Sequence, residues 1–367
     1  MRHLTIISVI ILLFTGCNNN TSKQNAEKGT EQNIISSENY EQEISIMFGG
    51  DLMFHMPQIS AAYSCENGYD FSKCFQYIQD NWKGCDAVIF NLETTLSDSD
   101  YSGYPQFAAP KEVAHNLKDC GVTHLVLANN HTCDKHAKGI RKTINYLSEV
   151  GIETAGCYLD SNEWAQNTPL FIKKDSFNIA LLNYTYGTNG LPVPKGMVVP
   201  QLDTIQIAND IEKAKSLSAT NIITFLHWGN EYQNSPCDEQ IELAQWLHNN
   251  GVDIVIGSHP HVIQRTETLT DGITVYSLGN FISNQRNRHT NGGLLVKLNL
   301  THNTKTGESN WNITHFPHFV YKAPLGDSPR YYCVPENLID SVIKEAPQRK
   351  EAEIFFTDTK NILECNK

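Results

Sequence analysis

Five apolar runs in this chain end on polar residues drawn from a narrow chemical range. "ISIMFGGDLM" closes around Asp51, "DAVIFNLETTL" carries Glu93, and "THLVLANNHTCD" turns polar at Asn130 and His131. "NIITFLHWGNEY" ends its apolar part at His227, and "VDIVIGSHPHVIQ" at His259 and His261. Apolar runs of about four to eight residues bounded by turn residues read as buried strands. Between them lie amphipathic segments, "FSKCFQYIQDNW", "KEVAHNLKDCG", "KGIRKTINYLSEVG" and "DEQIELAQWLHNNG". The last three finish on Gly, a common helix stop. Strand and helix in alternation predict an α/β fold. In such folds, loops beyond the carboxyl ends of several strands converge on one site.

A single Asn-His pair at a strand end is ordinary turn chemistry. Five endings in order, built from carboxylate, amide and imidazole with no Lys or Arg among them, read instead as a metal cage. Imidazole together with carboxylate suits zinc, manganese or iron better than a hard ion that prefers all-oxygen ligands. Two divalent ions about 3.5–4 Å apart need a carboxylate between them, and Glu93 is the natural bridge. His259 and His261 alternate on an extended segment, so their rings diverge unless the chain bends at Pro260, and each then serves a different ion.

The composition, 40% hydrophobic and 19% charged, is that of a folded protein with ample core. A formal net charge of −12 excludes a general nucleic-acid binder, which needs a basic face. Residues 1–17, "MRHLTIISVIILLFTGC", have a basic start, an apolar stretch too short to span a membrane, and small residues before a cysteine. "FTGC" resembles a bacterial lipobox with Phe14 in the place of the usual Leu. The resemblance implies that Cys17 is lipidated and that the protein is lipid-anchored in the bacterial cell envelope, on the extracytoplasmic side; a plain signal peptide or uncleaved anchor is the alternative. Residues 18–43 are polar and rich in Asn, Gln, Ser and Glu, as a disordered tether is. Nine further cysteines are scattered without a C-x-x-C pair, which supports neither a zinc knuckle nor a redox motif, and one or two disulfides at most are expected.

"FGGDLM", "NLETTL", "LANNHTCD", "LHWGNEY", "GSHPHVIQ" and "YSLGNFI" stand in the order in which they occur in the CapA-type poly-γ-glutamate capsule-biosynthesis proteins, and the chain resembles that family over residues 44–320. The resemblance implies a calcineurin-like metallophosphoesterase fold, a four-layer α/β/β/α sandwich, over residues 44–335. It also implies two divalent metal ions, Mn, Zn or Fe. Asp51 and His261 would serve the first ion, Asn130, His227 and His259 the second, and Glu93 both. His131 would face the substrate as a general acid or charge stabiliser. One position departs from the wider superfamily pattern: Met53 stands where a His is expected, with His55 two residues further on, so the first ion is expected to be weakly held.

The resemblance favours a site role for Glu231 in "WGNEY". Asp134 either fixes the His131 imidazole or caps the following helix. Asn280 is a candidate to orient a ligand. Arg286 and Arg288 in "NQRNRH" are candidates to receive carboxylate or phosphate oxygens. Tyr184, Tyr186 and "GTNGLPVPKG" suggest a loop rimming the cleft, and residues 336–367 a peripheral helical appendage. Two functions fit. The first is a metal-dependent hydrolase of capsule or envelope polymer metabolism, acting on a phosphoester or an acyl/amide bond. The second is a non-catalytic accessory lipoprotein that binds acidic polymer or a membrane synthase.

Overall fold

The computed structural model describes residues 40–269 and 272–364. An eight-stranded sheet is built on Glu41–Leu52, which pairs with Gly292–Asn303 on one side and with Ala87–Leu92 on the other. Ser309–Lys322 and Tyr331–Pro335 extend one edge, His124–Val126 and Glu153–Ala155 the other, and Asn280–Ile282 adds a short parallel pairing to the end of Glu41–Leu52. The second sheet has six strands in the order Thr266–Leu269, Gly272–Val275, Ile254–Ser258, Asn221–His227, Phe177–Thr185 and Leu170–Lys174.

Side chains alternate across a strand, and here the alternation sorts the apolar residues into three cores. Ile44, Ile46, Phe48, Ala87 and Ile89 of the first sheet meet Ile179, Leu181, Ile223, Phe225, Ile254 and Ile256 of the second. The opposite face of the first sheet, with Met47, Val88, Phe90 and Leu92, packs on Val113 and Leu117 of helix Glu112–Asp119 and on Ile140 and Leu147 of helix His136–Glu149. The opposite face of the second, with Leu182, Ile222, Leu226 and Val255, packs on Ile207 and Ile211 of helix Thr204–Ser216 and on Ala244 and Leu247 of helix Asp238–Asn249. The layers therefore run α/β/β/α, the sandwich that the resemblance implied. Burial on both faces is why the strands read as continuous apolar runs.

Three expectations need correction. Glu41, Gln42 and Glu43, expected in the tether, belong to the first strand, pairing with Asn303, His302 and Thr301; residues 18–39 and Cys17 lie outside the described residues. "FSKCFQYIQDNW" forms two 3-10 turns, Ser72–Phe75 and Gln79–Asn81, in place of one helix. Phe71, Cys74, Phe75, Ile78 and Trp82 keep a helix-like burial spacing while Trp82 reaches out to donate to the Cys120 carbonyl at 2.7 Å. The C-terminal segment is not peripheral: helix Ala346–Glu364 sends Ala352, Phe355 and Phe356 into the inter-sheet core beside Phe319 and Val334. Truncating Phe355 to Ala should therefore cost about 3–5 kcal/mol, read as a lower urea midpoint; a loss under about 1 kcal/mol would mean that the helix only lies on the surface. The eight described cysteines are all free.

Candidate metal centre

The strand ends of both sheets meet at one place. Asp51, Glu93 and Asn130 come from the first sheet, His227, His259 and His261 from the second, and all six are buried. Close backbone approach makes this possible: a Cβ on Gly50 would lie 1.9 Å from the Gly279 carbonyl oxygen, so only glycine lets the segment before Asn280 run against the end of the first strand. Asp51 then accepts from Asn91 Nδ2 at 2.8 Å and stands 3.0 Å from His261 Nδ1. His227 Nε2 lies 3.0 Å from Asn130 Oδ1 and 3.6 Å from Glu93 Oε1, and His261 Nε2 lies 3.8 Å from the same oxygen. His259 and His261 hold φ of 98° and 57° on either side of Pro260. Backbone this unusual for non-glycine residues costs about 1–3 kcal/mol each and clusters at functional sites. This is the bend that turns both rings inward, with centroids 6.0 Å apart.

Two groups of three donors result, each compact enough to hold an ion: Asp51, Glu93 and His261, and Glu93, His227 and His259. Glu93 belongs to both. Its two carboxylate oxygens are buried with no hydrogen-bond partner, as is His259 Nδ1. An orphaned buried carboxylate is costly, and a cation is what this one lacks, so the donor set fits divalent metal. Burial, reinforced by the Asp51 carboxylate, raises the Glu93 pKa well above the ordinary range. Burial and the neighbouring imidazoles lower His227 well below its usual value, and burial takes His259 down to about 3, which keeps both rings neutral as ligands. Ser258 Oγ sits 3.0 Å from His227 Nδ1 and donates to the Leu226 carbonyl at 3.5 Å. With Asn91 Nδ2, 3.3 Å from the same nitrogen, it holds the ring so that Nε2 faces the centre.

His131 stands beside this cluster without joining either group. Its Nδ1 is 2.7 Å from Asp134 Oδ2, which also accepts the Phe107 N–H at 2.6 Å. Asp134 thus faces His131, while Lys135 occupies the N-cap of the following helix. The Phe107 ring meets both His131 (4.7 Å) and His55 (4.9 Å) edge-on. His55 lies outside both donor groups, so it does not replace the histidine absent at Met53, and Met53 itself is buried in the core.

The family model described as bacterial capsule synthesis protein PGA_cap matches residues 45–285, which contain every residue of this centre. The chain belongs to this family. It is 28% identical over 275 residues to the capsule biosynthesis protein CapA of Bacillus anthracis, covering 71% of this chain and 65% of that protein. To the PGA biosynthesis protein CapA of Bacillus subtilis it is 29% identical over 280 residues, covering 74% and 70%. The chain thus spans slightly under two thirds of the Bacillus anthracis relative. A solved NAD nucleotidase of Haemophilus influenzae is similar with a TM-score of 0.48 and 12% identity, over 89% of this chain and 57% of that one, a likeness too low to add weight.

Around the PGA_cap centre the remaining candidates separate. Glu231 is exposed yet lies within ligand distance of His259 and His261, as a third donor group at the mouth. Tyr186, 46% exposed, lies tilted against His259 at 4.5 Å and forms part of the rim. Tyr184 does not: it is a core residue whose hydroxyl donates to Asp210 at 2.9 Å. Asn280 is buried and donates to the carbonyls of His261 (3.3 Å) and Thr290 (2.8 Å), so it braces the His261 loop. Arg288 is paired bidentately with Asp358 at 3.0 and 2.9 Å on the C-terminal helix, which removes it from substrate binding at the centre. Arg286 donates to the carbonyls of Val320 and Ser283. Sequence reasoning passed over Asn91, which joins Asp51 to Asn129, and Ser258. Both are polar residues inside otherwise apolar strands, the signal that would have exposed them.

Proposed function

We propose that this PGA_cap protein is a metal-dependent hydrolase of acidic-polymer capsule or envelope biosynthesis, acting on a phosphoester or an acyl/amide bond. The observation that carries this reading is Glu93: a fully buried carboxylate without a partner, shared between two donor groups. Asp51, Glu93 and His261 would hold one divalent ion and Glu93, Asn130, His227 and His259 the other. When bound, the ions would supply Lewis-acid polarisation and acidify water. The protein's own contribution is to position and exclude. Asp134 holds the Nδ1 side of His131 and leaves Nε2 to exchange a proton with the leaving group, while the Phe107 and Tyr186 rings wall the centre from bulk water.

A second reading, an accessory protein that binds acidic polymer or a synthase without turnover, is favoured by Met53, which leaves the first donor group with three members. A Mycobacterium tuberculosis relative, 21% identical over 247 residues, is named a probable polyglutamine synthesis accessory protein. Metal analysis after repletion with Mn, Zn or Fe, followed by assay on a generic phosphodiester and on γ-glutamyl peptides, separates the two. The hydrolase reading expects stoichiometric metal and turnover in the wild type, with both lost in a folded Asn130→Ala. A wild type that retains no metal would sink it, and full metal without turnover would favour the accessory role.

We also propose that the chain is anchored through Cys17 on the extracytoplasmic side of the envelope, by an acyl anchor that contributes about 0.8 kcal/mol per buried methylene. Clickable fatty-acid labelling should mark the wild type and leave Cys17→Ser unmarked; equal labelling of the two would show that the lipobox was misread.

A further inference from the structure

Arg286 and Lys322 lie over one ring, Tyr331, and Arg330 precedes it in the chain. The Arg286 guanidinium lies 5.4 Å from the Tyr331 centroid and the Lys322 ammonium 5.5 Å. Lys322 and Tyr331 are cross-strand partners, with Arg330 the residue before Tyr331. In a chain of net charge −12, none of the three forms an ion pair with a carboxylate among the described residues. They burden one another instead. Burial lowers the Lys322 pKa and the charges of Arg286 and Arg330 lower it further; burial takes Arg286 down to about 10. Glu351 acts on Arg286 from beyond pairing distance, and three half-buried like charges with no directly paired acid make a costly arrangement for a purely structural purpose.

Their donors are only partly used. Arg286 gives its terminal nitrogens to the Val320 and Ser283 carbonyls, and its Nε is buried without a partner. Lys322 Nζ donates to Asn284 Oδ1 at 3.3 Å, and Arg330 donates through Nε alone, to the Ala323 and Pro324 carbonyls. The remaining Lys322 protons and the Arg330 terminal nitrogens have no acceptor among the described residues. The cluster is also continuous with the metal centre. The Asn284 N–H donates to His55 Nδ1 at 3.3 Å, His55 touches Phe107, and Phe107 touches His131. Tyr331 closes the other side by donating to Asn284 Oδ1 at 2.6 Å.

We propose that Arg286, Lys322 and Arg330 form an oxyanion subsite beside the metal centre that receives a side-chain carboxylate of an acidic polymer, one or more units from the bond held at the centre. The proposal rests on the acidic-polymer reading above and adds where, and by which residues, the polymer's charge is met. Lys322 and Arg330 supply the free donors; Arg286 supplies fixed positive charge beneath them. The subsite lies on the His131 and His55 side of the centre, so it would set which unit of the chain is presented.

The test is binding of a fluorescent oligo-γ-glutamate to the full, metal-replete chain at low salt, with the same oligomer carrying α-carboxamides as the uncharged control and inorganic phosphate as a second anion. Lys322→Gln should weaken oligo-γ-glutamate binding about tenfold, Arg330→Gln similarly, and Lys83→Gln, at an exposed lysine elsewhere, not at all. Melting temperatures of Lys322→Gln and Arg330→Gln should hold or rise, because a like charge is removed, which separates lost binding from lost folding. Wild type that binds oligo-γ-glutamate while both variants bind it equally well would overturn the subsite and leave the polymer reading standing. No wild-type binding, or equal binding of the α-carboxamide oligomer, would overturn the polymer reading and the subsite with it. Weakened phosphate binding with oligo-γ-glutamate unchanged would assign the cluster to phosphate and overturn the polymer as its occupant.

Discussion

Glu93→Gln should abolish binding of both ions while making the metal-free protein more stable at neutral pH. Burial raises the Glu93 pKa in the folded state well above its unfolded value. Between those two values the folded chain binds more protons than the unfolded one, so stability falls as pH rises through that window. At pH 7 the metal-free wild type therefore carries the cost of a buried, unpartnered carboxyl group that must be either kept protonated or left charged. Glutamine keeps the shape and never ionises, so the metal-free variant should gain on the order of 2 kcal/mol. Metal addition should reverse the ranking: it raises the wild-type melting temperature by mass action and leaves Glu93→Gln unmoved. Calorimetry of both proteins with and without Mn, Zn or Fe reads all of this. A metal-free Glu93→Gln less stable than wild type, or one that still takes up two ions, would mean that Glu93 is a structural acid and no bridge.

His131→Ala should lower turnover by about 10²–10⁴-fold and leave metal content unchanged, because the ring stands outside both donor groups. Asp134→Asn should act through His131 and lose less, about 10–100-fold, as partners behind an active imidazole do. Loss of metal in His131→Ala would place the residue among the ligands. Unchanged turnover with metal retained would remove it from the chemistry.

The six ligand-type residues were legible in the sequence because both signals are local. Apolar periodicity marks each strand, and the residue at its end carries its own chemistry wherever the strand goes. The choice between two roles for Asp134 was not local. It depends on the Phe107 N–H, which comes from a loop 27 residues away and takes the carboxylate away from the helix start. Arg286 and Arg288 looked alike as neighbours in a polar loop, and only packing parted them. One is clamped by the Val320 and Ser283 carbonyls beside Tyr331, the other neutralised by Asp358 from a helix that sequence alone had set at the periphery.

By itself the sequence determined the order of the donor residues along the chain, their chemical types and the α/β alternation, each read from short local stretches, and the order of those stretches pointed to the family. The tertiary structure decided that the donor residues come from two facing sheets, that His259 and His261 turn left-handed around Pro260, and that Glu93 is left with no hydrogen-bond partner among the described residues. It also decided that Arg286 and Lys322 share the Tyr331 ring. These depend on contacts such as Asn91 with Asp51 and Asp51 with His261, 40 and 210 residues apart. No local pattern specifies which distant strand ends will meet; burying the three apolar faces together in one stack does.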